Sequence, residues 1–156
     1  MRRMKTGRTQ MKKTDRIIEV SREASRKSDC HIGMSAVIVN KSRVVSVGYN
    51  RKTFPRNGMN SIHAEVDALH RAPLKALKGA TMFITRYGHK DRSGGSRLAA
   101  PCRECSEELR RAMQENGLRS VYYTTTPENL DKQKVEWVEW SPTEQGYQRA
   151  KHSVRP

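Results

Sequence analysis

Three cysteines among 156 residues are too few for a disulfide framework, and two of them lie three positions apart as Cys102 and Cys105. That pairing suits a reducing compartment, hence a cytoplasmic expectation, and a metal or redox role. No apolar run approaches the roughly 18 residues that a membrane-spanning helix needs. The basic N-terminus lacks the apolar core of a secretory signal, so export is not expected. Acids are scarce as well, with 16 Asp and Glu against 31 Lys and Arg, for a formal charge of +15. Residues 1–13 and 41–56 contain no acid at all. A charge of that size implies anionic partners: a phosphorylated substrate, or RNA or DNA on a basic surface.

What is present suits one compact domain. Residues 1–13 read as a basic flexible arm, and 14–156 as a single domain. Thr14 is expected to cap a helix over Asp15 to Lys27. "SAVIVN" (35–40) and "RVVSVGYN" (43–50) read as strands joined by a tight turn at Lys41-Ser42. A basic loop leads to a helix starting near His63 and ended by Pro73. "ATMFIT" (80–85) is a third strand, and residues 86–100 form a basic, glycine-containing loop. Pro101 opens a helix stopped by Gly117. "SVYYTTT" (120–126) and "VEWVEW" (135–140) are the last strands, and 142–151 a final helix. This order predicts an α/β domain, a three-layer α/β/α sandwich around a mixed, about five-stranded sheet. Trp137 and Trp140 are expected on opposite strand faces, packing rather than stacking on bases. Cys30 is expected to be buried and structural, and His70 exposed.

The chemistry lies in "SIHAEVDAL" (61–69) and "PCRECSEEL" (101–109). Cys102 and Cys105, in the first turn of a helix, present both sulfurs on one side. The helix N-terminus favours their thiolate forms. Two sulfurs are half a zinc site; His63, at another helix start, could supply nitrogen. Three protein ligands would leave a position for water, as in catalytic zinc sites. Glu65 points away from His63 and could take a proton from that water and return one to a leaving group.

His63-Ala64-Glu65 followed by Pro101-Cys102-Arg103-Glu104-Cys105 resembles the signature of the cytidine/deoxycytidylate deaminase superfamily. The similarity runs from about Met34 to Thr125 and includes the "AVIV" strand and the "GYN" ending at Asn50. It implies zinc held by His63, Cys102 and Cys105, with Glu65 as the catalytic proton shuttle. Zinc-bound hydroxide would attack the amine-bearing ring carbon and ammonia would leave. The resemblance also implies that Asn50 contacts the substrate's sugar and that the Ala64 backbone faces the base. The chain departs from relatives that edit adenosine in tRNA by the fifteen residues between Thr85 and Pro101. That insertion makes Arg86, Lys90, Arg92 and Arg97 candidates for phosphate binding.

Three functions fit these features. The first is a zinc-dependent deaminase of a small, dCMP-like cytosine nucleotide, working as a homo-oligomer as relatives often do. The second deaminates cytosine or adenine within RNA or DNA, such as tRNA, which the excess charge favours. The third is a non-catalytic, zinc-stabilised component of a ribonucleoprotein; Glu65 argues against it, because a structural site needs no proton shuttle.

Overall fold

The structure, a computed structural model, describes residues 8–30, 32–52, 61–87, 99–124 and 137–143. Helix α1 (Arg8–Ser25) begins at Arg8 rather than at Thr14. Gln10, Met11, Lys12 and Lys13 are helix formers that carry it back into the stretch expected to be a flexible arm. Strands β1 (Gly33–Asn40) and β2 (Arg43–Tyr49) form the expected hairpin. Lys41 and Ser42 both have positive φ, 49° and 71°. A two-residue turn of that hand matches the twist of the flanking strands, even without glycine. Asn40 anchors the turn, its Nδ2 donating to the carbonyls of Ala76 and Lys78 at 2.9 and 3.0 Å.

The basic loop that follows contains structure that its sequence did not announce. Two short strands, β3 (Arg51–Lys52) and β4 (Ser61–Ile62), pair antiparallel. Helix α2 (Ala64–Arg71) starts directly after β4, and Pro73 separates it from a short α3 (Leu74–Leu77). Strand β5 (Thr81–Tyr87) is longer than expected and takes Arg86 and Tyr87 out of the loop. Helix α4 (Arg103–Asn116) ends at Gly117, whose φ of 78° is the left-handed conformation that favours glycine. Strands β6 (Ser120–Thr124) and β7 (Trp137–Glu139) complete the chain's sheet. Pro142 and Thr143 lie in a turn, and the rest of the expected final helix lies outside the described residues.

The five long strands run β2-β1-β5-β6-β7, with β5 and β6 parallel and the other pairs antiparallel. Alternation along each strand divides the core in two. Ile17 and Ile18 of α1 pack with Val37, Val39, Phe83 and Trp137 on one face. Ala36, Ile38, Met82, Ile84 and Val121 pack with α2 and α4 on the other. Trp140 belongs to this second face, so the two tryptophans are buried on opposite sides as expected. Tyr122 stacks on Phe83 with ring centroids 5.7 Å apart, as a packing residue would. No helix among the described residues is long and apolar enough to cross a membrane.

The contact that positions the site is between β2 and α2. A Cβ at Gly48 would lie 2.5 Å from the Ala64 carbonyl oxygen, 2.9 Å from Ala68 Cα and closer still to the Ala68 nitrogen. All three are backbone atoms, so nothing can rotate aside. Ser46, on the same face, donates to the Ala68 carbonyl at 2.7 Å. Gly48→Ala is therefore expected to destabilise the fold by about 3 kcal/mol, a fall in Tm of about 10 °C. A melting curve like that of the wild type would mean that the strand and helix are not so closely apposed.

Candidate metal centre and active site

The N-termini of α2 and α4 meet beside the end of β6. Strand β4 delivers His63 as the N-cap residue of α2, in extended conformation. On the other side, the Ala99 N–H bonds to the Thr124 carbonyl at 3.2 Å, which places the chain before Pro101 beside the end of β6. Cys102 is the N-cap residue of α4, and Cys105 lies in its first turn.

His63 Nδ1 is 3.0 Å from Cys105 Sγ and 3.5 Å from Cys102 Sγ. All three donor atoms lie within 4.8 Å of one another. Bonds of about 2.0 Å to nitrogen and 2.3 Å to sulfur around a tetrahedral zinc imply nitrogen–sulfur separations of about 3.5 Å. The Cys102 separation matches that value and the Cys105 separation is about 0.5 Å shorter; the nitrogen–sulfur donor set fits zinc, and the three residues could hold it. Glu65 is not part of this convergent set. Sequence spacing thus pointed to groups that the fold brings together, with the acid beside them.

The Cys105 thiol hydrogen-bonds to Cys102, which holds the Cys102 pKa down to about 4 against the upward push of burial. The same bond, with burial added, pushes the Cys105 thiol up. Burial raises Glu65, opposed by the bond to its own backbone N–H and by the nearby His63. Glu65 is only 3% exposed, so its carboxyl is sheltered from water.

The remaining sequence candidates divide. Ala64 is buried between His63 and Glu65, its methyl group in the core. The Asn50 side chain, just past β2, is engaged: Oδ1 accepts the Met34 N–H, and Nδ2 donates to the Ile32 carbonyl, both at 2.8 Å. An amide keeps a second N–H and a second oxygen lone pair after such bonds. Arg86 is only 8% exposed and sits on β5. Alternation with Met82 and Ile84 turns it toward the α2–α4 face. It is thus a buried strand residue at the site edge, not part of a surface loop. Lys90, Arg92 and Arg97 lie outside the described residues. His70 is exposed as expected, whereas Cys30 is half-buried rather than buried, in the turn after α1. The sequence left Asp67 unremarked. It is 3% exposed and forms ion pairs with Arg51 and Arg71. Its signal was an acid within an apolar helical stripe, four residues before an arginine.

A mixed α/β sheet that carries a histidine and two helix-start cysteines in one cluster is the frame of a zinc-binding α/β protein. The chain belongs to the cytidine and deoxycytidylate deaminase family, whose zinc-binding region matches residues 11–125. Members of that family are zinc-dependent hydrolases, and zinc is the cofactor. Two solved structures share the fold. One is a cytidine deaminase from Burkholderia pseudomallei: TM-score 0.53, 20% identity, 80% of this chain and 91% of that one covered. The other is a dCMP deaminase from the cyanophage S-TIM5 in apo form: TM-score 0.50, 20% identity, 76% and 82% covered. No curated protein sequence matches the chain.

Proposed function

We propose that this deaminase removes the exocyclic amine of cytosine in a (deoxy)cytidine nucleotide resembling dCMP. One observation carries the reading: His63, Cys102 and Cys105 converge while Glu65, buried beside them, stays outside the ligand set. In this reading those three residues hold zinc, which supplies activated water when bound. Glu65 accepts the water's proton on its carboxylate and later returns a proton to the departing amine. The overall change replaces the exocyclic C–N bond at that ring carbon with a C–O bond, water supplying the oxygen, and releases ammonia. Burial keeps the carboxyl out of bulk water, so the proton it takes can be passed to the bound substrate. Asn50 directs its remaining N–H to the sugar, and the Ala64 backbone faces the base. Arg86, with Lys90, Arg92 and Arg97, takes the phosphate.

A nucleic-acid substrate is the second reading, favoured by the charge of +15, which exceeds what one phosphate requires. The test is ammonia release by zinc-loaded protein from dCMP, CMP, cytidine, single-stranded DNA and tRNA. The expected result is turnover of the free nucleotides, with kcat/KM for dCMP about tenfold or more above cytidine, since charged hydrogen bonds to phosphate are strong. Turnover of polymers alone, with binding that falls steeply with salt, establishes the second reading instead. Silence on all five with zinc present removes both and leaves a non-catalytic role.

A further inference from the structure

The corner between β2 and β3 carries Asn50, and a network of bonds holds it from two sides. Toward the chain before β1, the Asn50 side chain binds Ile32 and Met34, and the Asn50 N–H donates to the Met34 carbonyl at 3.2 Å. The Lys52 N–H donates to Asp29 Oδ1 at 2.8 Å. Toward α2, the corner is held through the Asp67 carboxylate and by the Tyr49 ring beside Arg71. Asp67 Oδ2 accepts the Tyr49 N–H at 3.2 Å. Arg71 Nε donates to both Asp67 oxygens, at 3.1 and 3.0 Å. Arg51 Nη1 lies 2.7 Å from Oδ1, an ion pair by distance although its N–H is not aimed well enough for a hydrogen bond.

Both guanidinium carbons lie 5.7 Å from the centroid of the Tyr49 ring. Two cations thus share one aromatic ring and one anion. Without the anion they would repel each other across that ring. The burial of Asp67 alone would favour its neutral form, but the guanidiniums outweigh that and keep it ionised.

The place of this cluster gives it a role. Arg51 pairs with Ile62, the residue before His63. Asp67 lies one helical turn past His63, and its N–H bonds to the His63 carbonyl at 3.0 Å. The carboxylate therefore joins the corner that bears Asn50 to the helix that bears His63 and Glu65. We infer that Asp67 is a positioning residue that sets the distance between the substrate-contacting corner and the metal centre, using Arg51 and Tyr49 as its grips. This inference rests on the deaminase reading above. It extends that reading by explaining what keeps binding and chemistry in register.

The variant that tests it is Asp67→Asn, which keeps shape and an oxygen for the Tyr49 N–H but removes the charge between the arginines. In zinc-loaded enzyme acting on its best nucleotide, KM is expected to rise about tenfold or more, with kcat within about threefold. Zinc should remain at one per chain. Hydrogen exchange in peptides covering 43–52 should quicken, while peptides covering α1 keep the wild-type rate. A merely structural acid would alter stability without this split. If Asp67→Asn does not fold, Arg51→Met cuts the same joint from the corner side, with the same expected rise in KM. A folded, zinc-loaded variant with the wild-type KM, or one in which only kcat falls, overturns the assignment. Should the wild type turn over no nucleotide, the deaminase reading fails, and exchange alone decides. Quicker exchange over 43–52 sustains the joint, and unchanged exchange removes it.

Discussion

Glu65→Gln is expected to lower turnover by roughly 100- to 10,000-fold while zinc stays bound at one equivalent per chain. That is the range by which a positioned general acid–base contributes. Gln keeps the shape and hydrogen-bonding capacity of the side chain but cannot carry the proton. Zinc retention separates this role from ligation, because among the described residues the convergent donors are His63, Cys102 and Cys105. Loss of metal with loss of activity would show that the carboxylate is a ligand instead. The same variant has a second signature in the metal-free protein. Burial raises the Glu65 pKa above its ordinary value of 4.5 in the folded state. The folded state therefore binds more protons than the unfolded one between those two values. Stability falls as pH rises through that window. Metal-free Glu65→Gln, with no proton to lose, should melt above metal-free wild type at pH 7, with the gap closing as pH falls. Melting curves in chelator across that range measure it; a gap that widens on acidification would contradict the buried carboxyl.

Removal of the metal has the second large effect. Cys105→Ser, or chelation of the wild type, is expected to abolish deamination and lower stability. Free zinc at about a thousand times its Kd stabilises a protein by about 4 kcal/mol, which for a chain of this size is a Tm shift of about 10 °C. The cysteines also set the pH dependence. Cys102, held down to about 4, is already a thiolate at neutral pH, whereas the Cys105 thiol keeps its proton. Loading zinc should therefore release about one thiol proton, and affinity should fall about tenfold for each unit of pH below neutrality. Calorimetry in buffers of different ionisation enthalpy counts that proton. Release of two would mean that the sulfurs do not share one in the metal-free state.

Some of this could be seen in the chain because the forces involved act over a few residues. The β-branched runs at 35–40 and 43–50, the stop at Gly117 and the two helix-start motifs are local patterns, and the structure contains each of them. Other features depend on partners far along the chain. The Arg51–Lys52 strand exists because Ser61–Ile62 lies opposite it, and two residues carry no periodicity of their own. Arg86 looked like part of a loop because arginine is rare in buried strands. Pairing with Met34 across β1 nevertheless extends β5 through it. The start of α1 was misplaced because a threonine suitable for a cap lay among residues equally suited to the helix interior.

The sequence by itself determined the donor types, since imidazole, two thiols and a neighbouring carboxyl at those spacings suit little besides a zinc site with a proton shuttle. It also determined the order of the longer elements from α1 to β6, through short-range apolar periodicity. Only the tertiary structure decided that His63 lies 3.0 Å from Cys105, and that Asp67 joins the Asn50 corner to α2. Such contacts span many residues of chain and arise when β2 closes on α2 at Gly48, an approach that backbone shape governs and that no local pattern records.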